Sequence, residues 1–118
     1  MSVPYTSFSE EIETGNHRFI AILFKLSNAL ITFIYEGDNM KLGTLAVSMP
    51  QFEGKTCISS ILLGDRNMVL TKILAERLSS ASNRITLVST NLPEIQEAEI
   101  SSAIFKLIQK LWVKAGSK

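Results

Sequence analysis

The chain has 118 residues, 46% hydrophobic and 19% charged, which is typical of one globular domain spanning residues 1–118. Its net charge of +1 excludes a strongly basic nucleic-acid-binding module. The single cysteine, Cys57, excludes an intrachain disulfide. Because the chain has only one histidine, His17, the sequence offers almost no residues for a zinc site or for histidine-dependent catalysis. We therefore expect a protein without a cofactor in a reducing compartment, the cytoplasm or nucleus.

Five strands are predicted in the first half of the chain. They cover residues 3–13, 17–26, 29–36, 41–49 and 56–63, and most are joined by short turns. Pro50 ends the fourth strand because proline cannot donate to a sheet ladder. The series predicts an antiparallel meander. Three carboxylates on the first strand, Glu10, Glu11 and Glu13, indicate a solvated edge that resists aggregation.

The hydrophobic period changes after residue 65. Apolar residues recur at helical spacing, which predicts an amphipathic helix capped by Asp65 or Asn67 and closed by residues 79–83. This stripe consists of Val69, Leu70, Ile73, Leu74 and Leu78. Residues 84–91 predict a sixth strand, and a long helix follows from Pro93 to about residue 113. Its stripe consists of Ile100, Ala103, Ile104, Leu107, Ile108 and Leu111. The fold class is therefore α+β, an antiparallel six-stranded sheet in βββββαβα order with two helices packed on it.

Residues 19–35 form the one stretch with the hydropathy of a membrane span. A span needs about 20 apolar residues, and this stretch is shorter and carries Lys25, Ser27 and Asn28 at its centre. The Ser27–Asn28 pair predicts a hairpin turn instead. Residues 1–15 contain no basic residue, so we expect no signal or transit peptide. We expect no membrane and no nucleic-acid partner.

The second and third strands are apolar on both faces. On the second strand Ile20, Ile22 and Phe24 oppose Phe19, Ala21 and Leu23; on the third, Ile31, Phe33 and Tyr35 oppose Leu30 and Ile34. Two helices can cover one face only, so the other requires a fold-back of the sheet or a partner protein. The candidate partner interface comprises Phe19, Leu23, Ile31 and Phe33, with Leu63, Gly64 and Asp65 at the strand-to-helix junction. Gly64 is expected to be mainly structural.

Few other residues are candidates for chemistry. We expect His17 to be a half-exposed residue at a strand end and Cys57 to be a small core residue. Lys106, Lys110 and Lys114 form a row on the last helix, which we interpret as a helix face exposed to solvent. Trp112 is interpreted as core packing, with an interface anchor as the alternative. No catalytic residue is predicted, so the protein is not expected to be an enzyme.

Several segments together resemble a known family. These segments are Leu45-Ala46-Val47-Ser48-Met49, Ser60-Ile61-Leu62-Leu63-Gly64-Asp65, Leu74-Ala75-Glu76-Arg77-Leu78 and residues 83–92. Over about residues 7–112 the chain resembles the proteasome assembly chaperone 4 family. It is also similar to the sister family, proteasome assembly chaperone 3, which shares a Leu-Leu-Gly turn. The Leu-Ala-Val-x-Met strand favours the fourth chaperone.

The resemblance implies a non-catalytic function. Members of this family pair with the third chaperone as a heterodimer that binds proteasome alpha-type subunits and promotes alpha-ring assembly of the 20S core particle. Such a heterodimer would cover the second sheet face. The alternatives are the sister chaperone and a longin- or roadblock-like module that binds a small GTPase. Roadblock modules place a helix before their first strands, whereas this chain starts with strands. A small enzyme is a third alternative, but the sequence shows no convergent titratable groups.

Overall fold

Six strands and two helices follow one another in the predicted order. The structure is a computed structural model that describes residues 5–50, 58–93 and 98–116, except for the side chains of residues 98 and 99. The elements are β1 (Thr6–Thr14), β2 (His17–Lys25), β3 (Ala29–Glu36), β4 (Thr44–Met49), β5 (Ile58–Leu63), α1 (Met68–Ser82), β6 (Ile85–Asn91) and α2 (Ala98–Lys114). The α+β class and the element order are confirmed. The extent of the domain, residues 1–118, stays a prediction. Cys57 lies outside the described residues.

The sheet is mixed, which corrects the predicted antiparallel meander. Its strand order is β1-β2-β3-β6-β4-β5, with β6 parallel to β3 and antiparallel to β4. The connection between β3 and β4 makes this order feasible. Residues 37–43 can span about 20 Å, which exceeds the roughly 10 Å between β3 and β4 when β6 lies between them. The connection that begins at Gly37 therefore passes the end of β6 instead of closing a hairpin between β3 and β4.

Residues 19–35 form a hairpin, as the sequence predicted. The backbone N–H of Leu26 donates to the carbonyl of Ala29 at 2.9 Å and closes the Ser27–Asn28 turn. Antiparallel pairing then runs from Lys25 opposite Leu30 to Phe19 opposite Glu36. Among the described residues, no helix is long and apolar enough to cross a membrane.

Both helices pack on one face of the sheet. Helix α1 lies over β4, β5 and β6, and α2 lies over β1 and β2. The buried residues of α2 lie at helical spacing and are Ala103, Ile104, Leu107, Ile108 and Leu111; Ala115, directly after the helix, is also buried. The predicted stripe of α2 is thus confirmed, except that Ile100 is only half-buried. Trp112 is half-buried against the core, in agreement with the packing interpretation.

The buried stripe of α1 differs from the predicted one. Val69 is 71% exposed, whereas the buried residues are Thr71, Leu74, Ala75, Leu78 and Ser79. Small residues four apart let the helix approach the sheet closely, and the Thr71 hydroxyl lies 2.7 Å from that of Thr90 on β6. The hydrophobic pattern identified Leu74 and Leu78 but missed Thr71, Ala75 and Ser79, because these three are small or polar.

The ends of the helices also differ in part from expectation. Asn67, with φ of 58°, occupies the N-cap position of α1, but its side chain makes no capping hydrogen bond and donates to the Pro93 carbonyl at 3.0 Å. Neither Asp65 nor Asn67 therefore caps the helix as predicted. Pro93 lies in the connection before α2 and not in a helical turn. The predicted end of α1 at residues 79–83 is confirmed, because the backbone N–H of Asn83 donates to the Ser79 carbonyl at 2.8 Å.

Candidate partner interface

The face of the sheet opposite the helices is apolar, and neither helix packs on it. Register places its side chains on five adjacent strands, because paired residues point to the same side. This open face consists of Ile20, Ile22 and Phe24 on β2, Ile31 and Phe33 on β3, Ile85 and Leu87 on β6, Leu45, Val47 and Met49 on β4, and Ile58 on β5. Most are half-exposed, but Met49 is 48% and Ile58 70% exposed.

Aromatic rings form a ridge across one side of the open face. The Phe24 ring lies edge-on to Tyr5 at 5.7 Å and to Phe33 at 6.0 Å between centroids. Edge-to-face contacts of this kind are favourable and hold the rings in fixed positions. Tyr5 is nevertheless 43% exposed, so the ridge presents aromatic surface to solvent. Rigid aromatic groups of this kind are common anchors in protein interfaces.

The structure divides the predicted interface residues between the two faces. Phe19 and Leu23 are fully buried beneath the helices, so they have no exposed surface to offer a partner, and this part of the prediction is wrong. Ile31 and Phe33 lie on the open face. Their role as contact residues stays a prediction. Strand alternation defines two sets of side chains but does not say which set the helices cover.

Contributions from β4 and β6 were not among the predicted interface residues. Val47 and Leu87 are directly opposite each other near the middle of the open face. The alternation of residues 45–49 was a usable signal, since it placed Leu45, Val47 and Met49 on one side. No local signal shows that β6 lies between β3 and β4 and joins both to this face, because that pairing is long-range.

The Leu63–Asp65 junction lies at the end of β5, beside the start of β4. Leu63 is 50% exposed and pairs with Leu45. Gly64 has φ of 85° and packs on Thr44, where an added Cβ would lie 2.7 Å from the Thr44 Cα. The Thr44 hydroxyl donates to the Arg66 carbonyl at 2.6 Å and fixes the turn. The geometry gives Gly64 the expected structural role, and Asp65 is exposed.

Charged residues border the open face at its β1–β2 end. Arg18 donates to Glu11 at 2.7 Å and to Asp38 at 2.8 Å. The hydrogen bonds that Arg18 donates to Asp38 and Glu11 raise its pKa above the ordinary value, so its charge is fixed. Both pairs are substantially exposed, and such pairs contribute little to stability. They give the apolar face a polar rim, an arrangement found in protein–protein interfaces.

Lysines from α2 cover the β1 edge. Lys114 Nζ donates to the Ser9 carbonyl at 2.9 Å and Lys110 Nζ to the Glu11 carbonyl at 3.5 Å, and both lie near the Glu10 carboxylate. The predicted edge position of β1 is confirmed. The lysine row is not simply a solvated face: two of its members bind the edge backbone, and Lys106 remains exposed. The bound carbonyls and the charges protect this edge against strand addition.

The described residues bring together little that supports chemistry. His17 Nδ1 donates to Glu36 at 2.9 Å, and its ring stacks on Phe19 at 5.4 Å, so it is a half-buried strand-end residue as predicted. No group of three or more metal-ligating side chains occurs within the described part of the chain.

Comparison with known proteins supplies a fold relative. No protein-family model matches the sequence, and no curated protein is significantly similar to it. A solved structure with a similar fold is a novel chaperone complex for yeast 20S proteasome assembly. The TM-score is 0.69 at 13% sequence identity, over 98% of this chain and 98% of that chain. The likeness therefore covers the whole arrangement of one sheet and two helices.

Proposed function

We propose that the chain is a non-catalytic chaperone subunit of 20S proteasome assembly that works as half of a heterodimer. The open face buries itself against a related chaperone similar to proteasome assembly chaperone 3. The pair then binds alpha-type subunits and promotes alpha-ring assembly, in the cytoplasm and nucleus. One observation carries the proposal: an uncovered apolar sheet face on a fold that a yeast 20S assembly chaperone complex shares.

The size of the open face supports pairing with another folded domain. Five strands spaced about 4.8 Å apart and about six residues long give an area on the order of 500 Å² in plan, before side-chain relief is added. Stable protein complexes bury about 800 Å² on each partner. A lone domain rarely leaves an apolar surface of this extent in water. A flat apolar partner surface, such as the sheet of a related chaperone, is complementary to it in shape and chemistry.

Phe33→Asp tests the pairing, because Phe33 lies near the centre of the open face and away from the core. Co-expression of the wild-type chain with the chaperone 3-like protein should give a one-to-one heterodimer in sedimentation. The aspartate should abolish that heterodimer while the chain keeps its far-ultraviolet circular dichroism. The matched control is Val69→Asp, which places the same charge on an exposed apolar residue of α1 and should pair normally. A soluble monomer at high concentration, with no affinity for the chaperone 3-like protein, would contradict the proposal.

Capture from cells tests the target. Affinity purification followed by mass spectrometry should recover proteasome alpha-type subunits with the wild-type chain and lose them with Phe33→Asp. Recovery of a small GTPase instead would favour the regulatory-module alternative.

A further inference from the structure

A second candidate surface lies on the helix side of the molecule, in the groove between α1 and α2. The groove has a volume of about 420 Å³. Its floor includes the buried Leu78 and Ile108, and the half-exposed rings of Phe105 and Trp112 form its side on α2. The exposed Ala81 on α1 is small and leaves the groove open. This shape can accept an apolar side chain from outside.

The polar rim of this groove carries one sign of charge. Arg77 and Lys106 are the charged residues that line it, and both are exposed. The Arg77 guanidinium lies 4.5 Å above the Phe105 ring, a cation–π contact that positions the charge over the groove. The nearest carboxylate along α1, that of Glu76, accepts a hydrogen bond from Ser59 on β5 and so points away. Within the described residues, neither Arg77 nor Lys106 forms an ion pair.

We propose that this groove binds an acidic segment of a partner protein that inserts an apolar side chain between Phe105 and Trp112. The carboxylates of the segment would pair with Arg77 and Lys106, which satisfies both charges at the rim. Charge complementarity favours an acidic segment over a neutral one. A concave pocket with two cations fits a peptide better than a membrane or nucleic acid, which recruit broad basic surfaces. The groove is on the opposite side of the sheet from the open face, so it leaves that face available.

Trp112 provides a direct readout because it is the only tryptophan in the chain. The probe is a short tryptophan-free peptide of glutamate and leucine with the leucines at helical spacing, titrated into the full chain. We expect a saturable change in Trp112 emission. The same peptide with lysine in place of glutamate should produce none. A saturable change of equal affinity with the lysine peptide would overturn the proposal.

Paired variants separate charge from shape. Arg77→Gln with Lys106→Gln should weaken binding of the acidic peptide by about tenfold, because two exposed ion pairs are lost. The matched control, Lys41→Gln with Arg66→Gln, removes the same charge from exposed positions outside the groove and should not weaken it. Ala81→Leu should weaken binding with no change in charge, because it fills the groove. An equal loss in the control pair, or unchanged binding in Ala81→Leu, would overturn the proposal.

Two further experiments test the class of partner and test whether the groove binds independently of the open face. Vesicles containing phosphatidylserine should not change Trp112 emission, and a response to them in preference to the acidic peptide would overturn the proposal in favour of a membrane. The titration is repeated on Phe33→Asp, whose open face is disabled. Peptide binding should persist there, since the two surfaces lie on opposite sides of the sheet. Loss of peptide binding in Phe33→Asp with the fold intact would contradict a separate groove site.

Discussion

Two independent constraints act on Gly64 at the end of β5. Its φ of 85° lies in the left-handed region that side chains with a Cβ adopt at a cost, and any Cβ would meet Thr44 at 2.7 Å. Thr44 cannot easily move away because its hydroxyl is bonded to the Arg66 carbonyl. Gly43, beside it, packs directly on the backbone of Thr90 and donates its N–H to Ser89 at 2.9 Å. Single residues at this end therefore fix how β4, β5 and β6 meet.

Gly64→Ala should lower the melting temperature more than Gly15→Ala. Gly15 also has a positive φ, of 58°, but an added Cβ there meets nothing within 4 Å. The Gly15 change therefore measures the backbone cost alone, about 1 kcal/mol. The Gly64 change adds a steric clash, so its loss of unfolding free energy should exceed that value by about 1 kcal/mol or more. Thermal melts of both variants compare the two, and equal losses would show that the contact with Thr44 is unimportant.

Buried hydroxyls on the helix side of the sheet are unequally satisfied. Among the described residues, the hydroxyls of Thr32 and Ser48 are buried without a hydrogen-bond partner. Thr71, by contrast, donates to the Asn67 carbonyl at 2.7 Å and lies 2.7 Å from the Thr90 hydroxyl. A buried hydroxyl without a partner costs free energy that a bonded one recovers.

Thr32→Val should raise the free energy of unfolding by about 1 kcal/mol, because it keeps the side-chain shape and removes an unsatisfied hydroxyl. Thr71→Val is the matched control and should lower it by about 1 kcal/mol or more, since Thr71 loses two bonded contacts. Chemical denaturation measures both values. Destabilisation by Thr32→Val would show that its hydroxyl makes an interaction in solution.

At the scale of elements, α2 is joined to the β1 edge by charge. Lys110 and Lys114 lie 3.7 and 3.4 Å from the Glu10 carboxylate and also bind backbone carbonyls of β1. Partial desolvation acts to raise the pKa of Glu10, but the hydrogen bond and charge of Lys114 and the charge of Lys110 hold it below its ordinary value. Folding therefore favours the ionised carboxylate, and the contact stabilises the native state only where Glu10 is charged.

Glu10→Gln should reduce stability at neutral pH but not in acid. Because the folded-state pKa is lowered, the contribution is fully present above the unfolded value, about 4.3. It is lost as the pH falls through the folded-state pKa. The melting temperatures of wild type and Glu10→Gln should therefore differ at pH 7 and converge as the pH falls through the folded-state pKa of Glu10. Glu13→Gln, on the same strand but without a described ion pair, is the control. A difference that stays constant with pH would contradict the charge contact.

For the whole molecule, the sheet has one face that stabilises it and one that remains available for association. Adjacent residues of β2 belong to opposite faces: Leu23 is fully buried beneath the helices, and Ile22 lies on the open face. The helices contribute to the core only on their own side. Substitutions on the two faces should consequently affect different properties, stability on one side and association on the other.

Ile22→Thr and Leu23→Thr form a matched pair that tests this division. Threonine is β-branched and therefore suits a strand, so neither change disrupts the backbone. Leu23→Thr should lower the free energy of unfolding by about 3 kcal/mol through a cavity and a buried hydroxyl. Ile22→Thr should leave stability nearly unchanged but reduce self-association of the isolated chain in sedimentation. A similar loss of stability in both would mean that the open face is covered within the chain.

The sequence by itself determined the order of the elements, the hairpin of residues 19–35 and the apolar character of both faces of β2 and β3. These properties follow from local spacing and turn chemistry, which neighbouring residues specify. Ile31 and Phe33 of the candidate interface came from the same alternation. The acidic edge strand β1 was also evident from its charges. Its coverage by Lys110 and Lys114 was not, because those residues are about a hundred positions away.

Only the tertiary structure decided which face the helices cover and which strands neighbour one another. Alternation gives two equivalent faces, and the packing of α2 on β1 and β2 buries the side of Phe19 and Leu23. The insertion of β6 between β3 and β4 depends on pairing across a long stretch of chain, for which no local signal exists. That insertion places Leu87 opposite Ile31 and Val47 opposite Leu87, and it extends the open face across the sheet. The groove between α1 and α2 likewise exists only once both helices are packed.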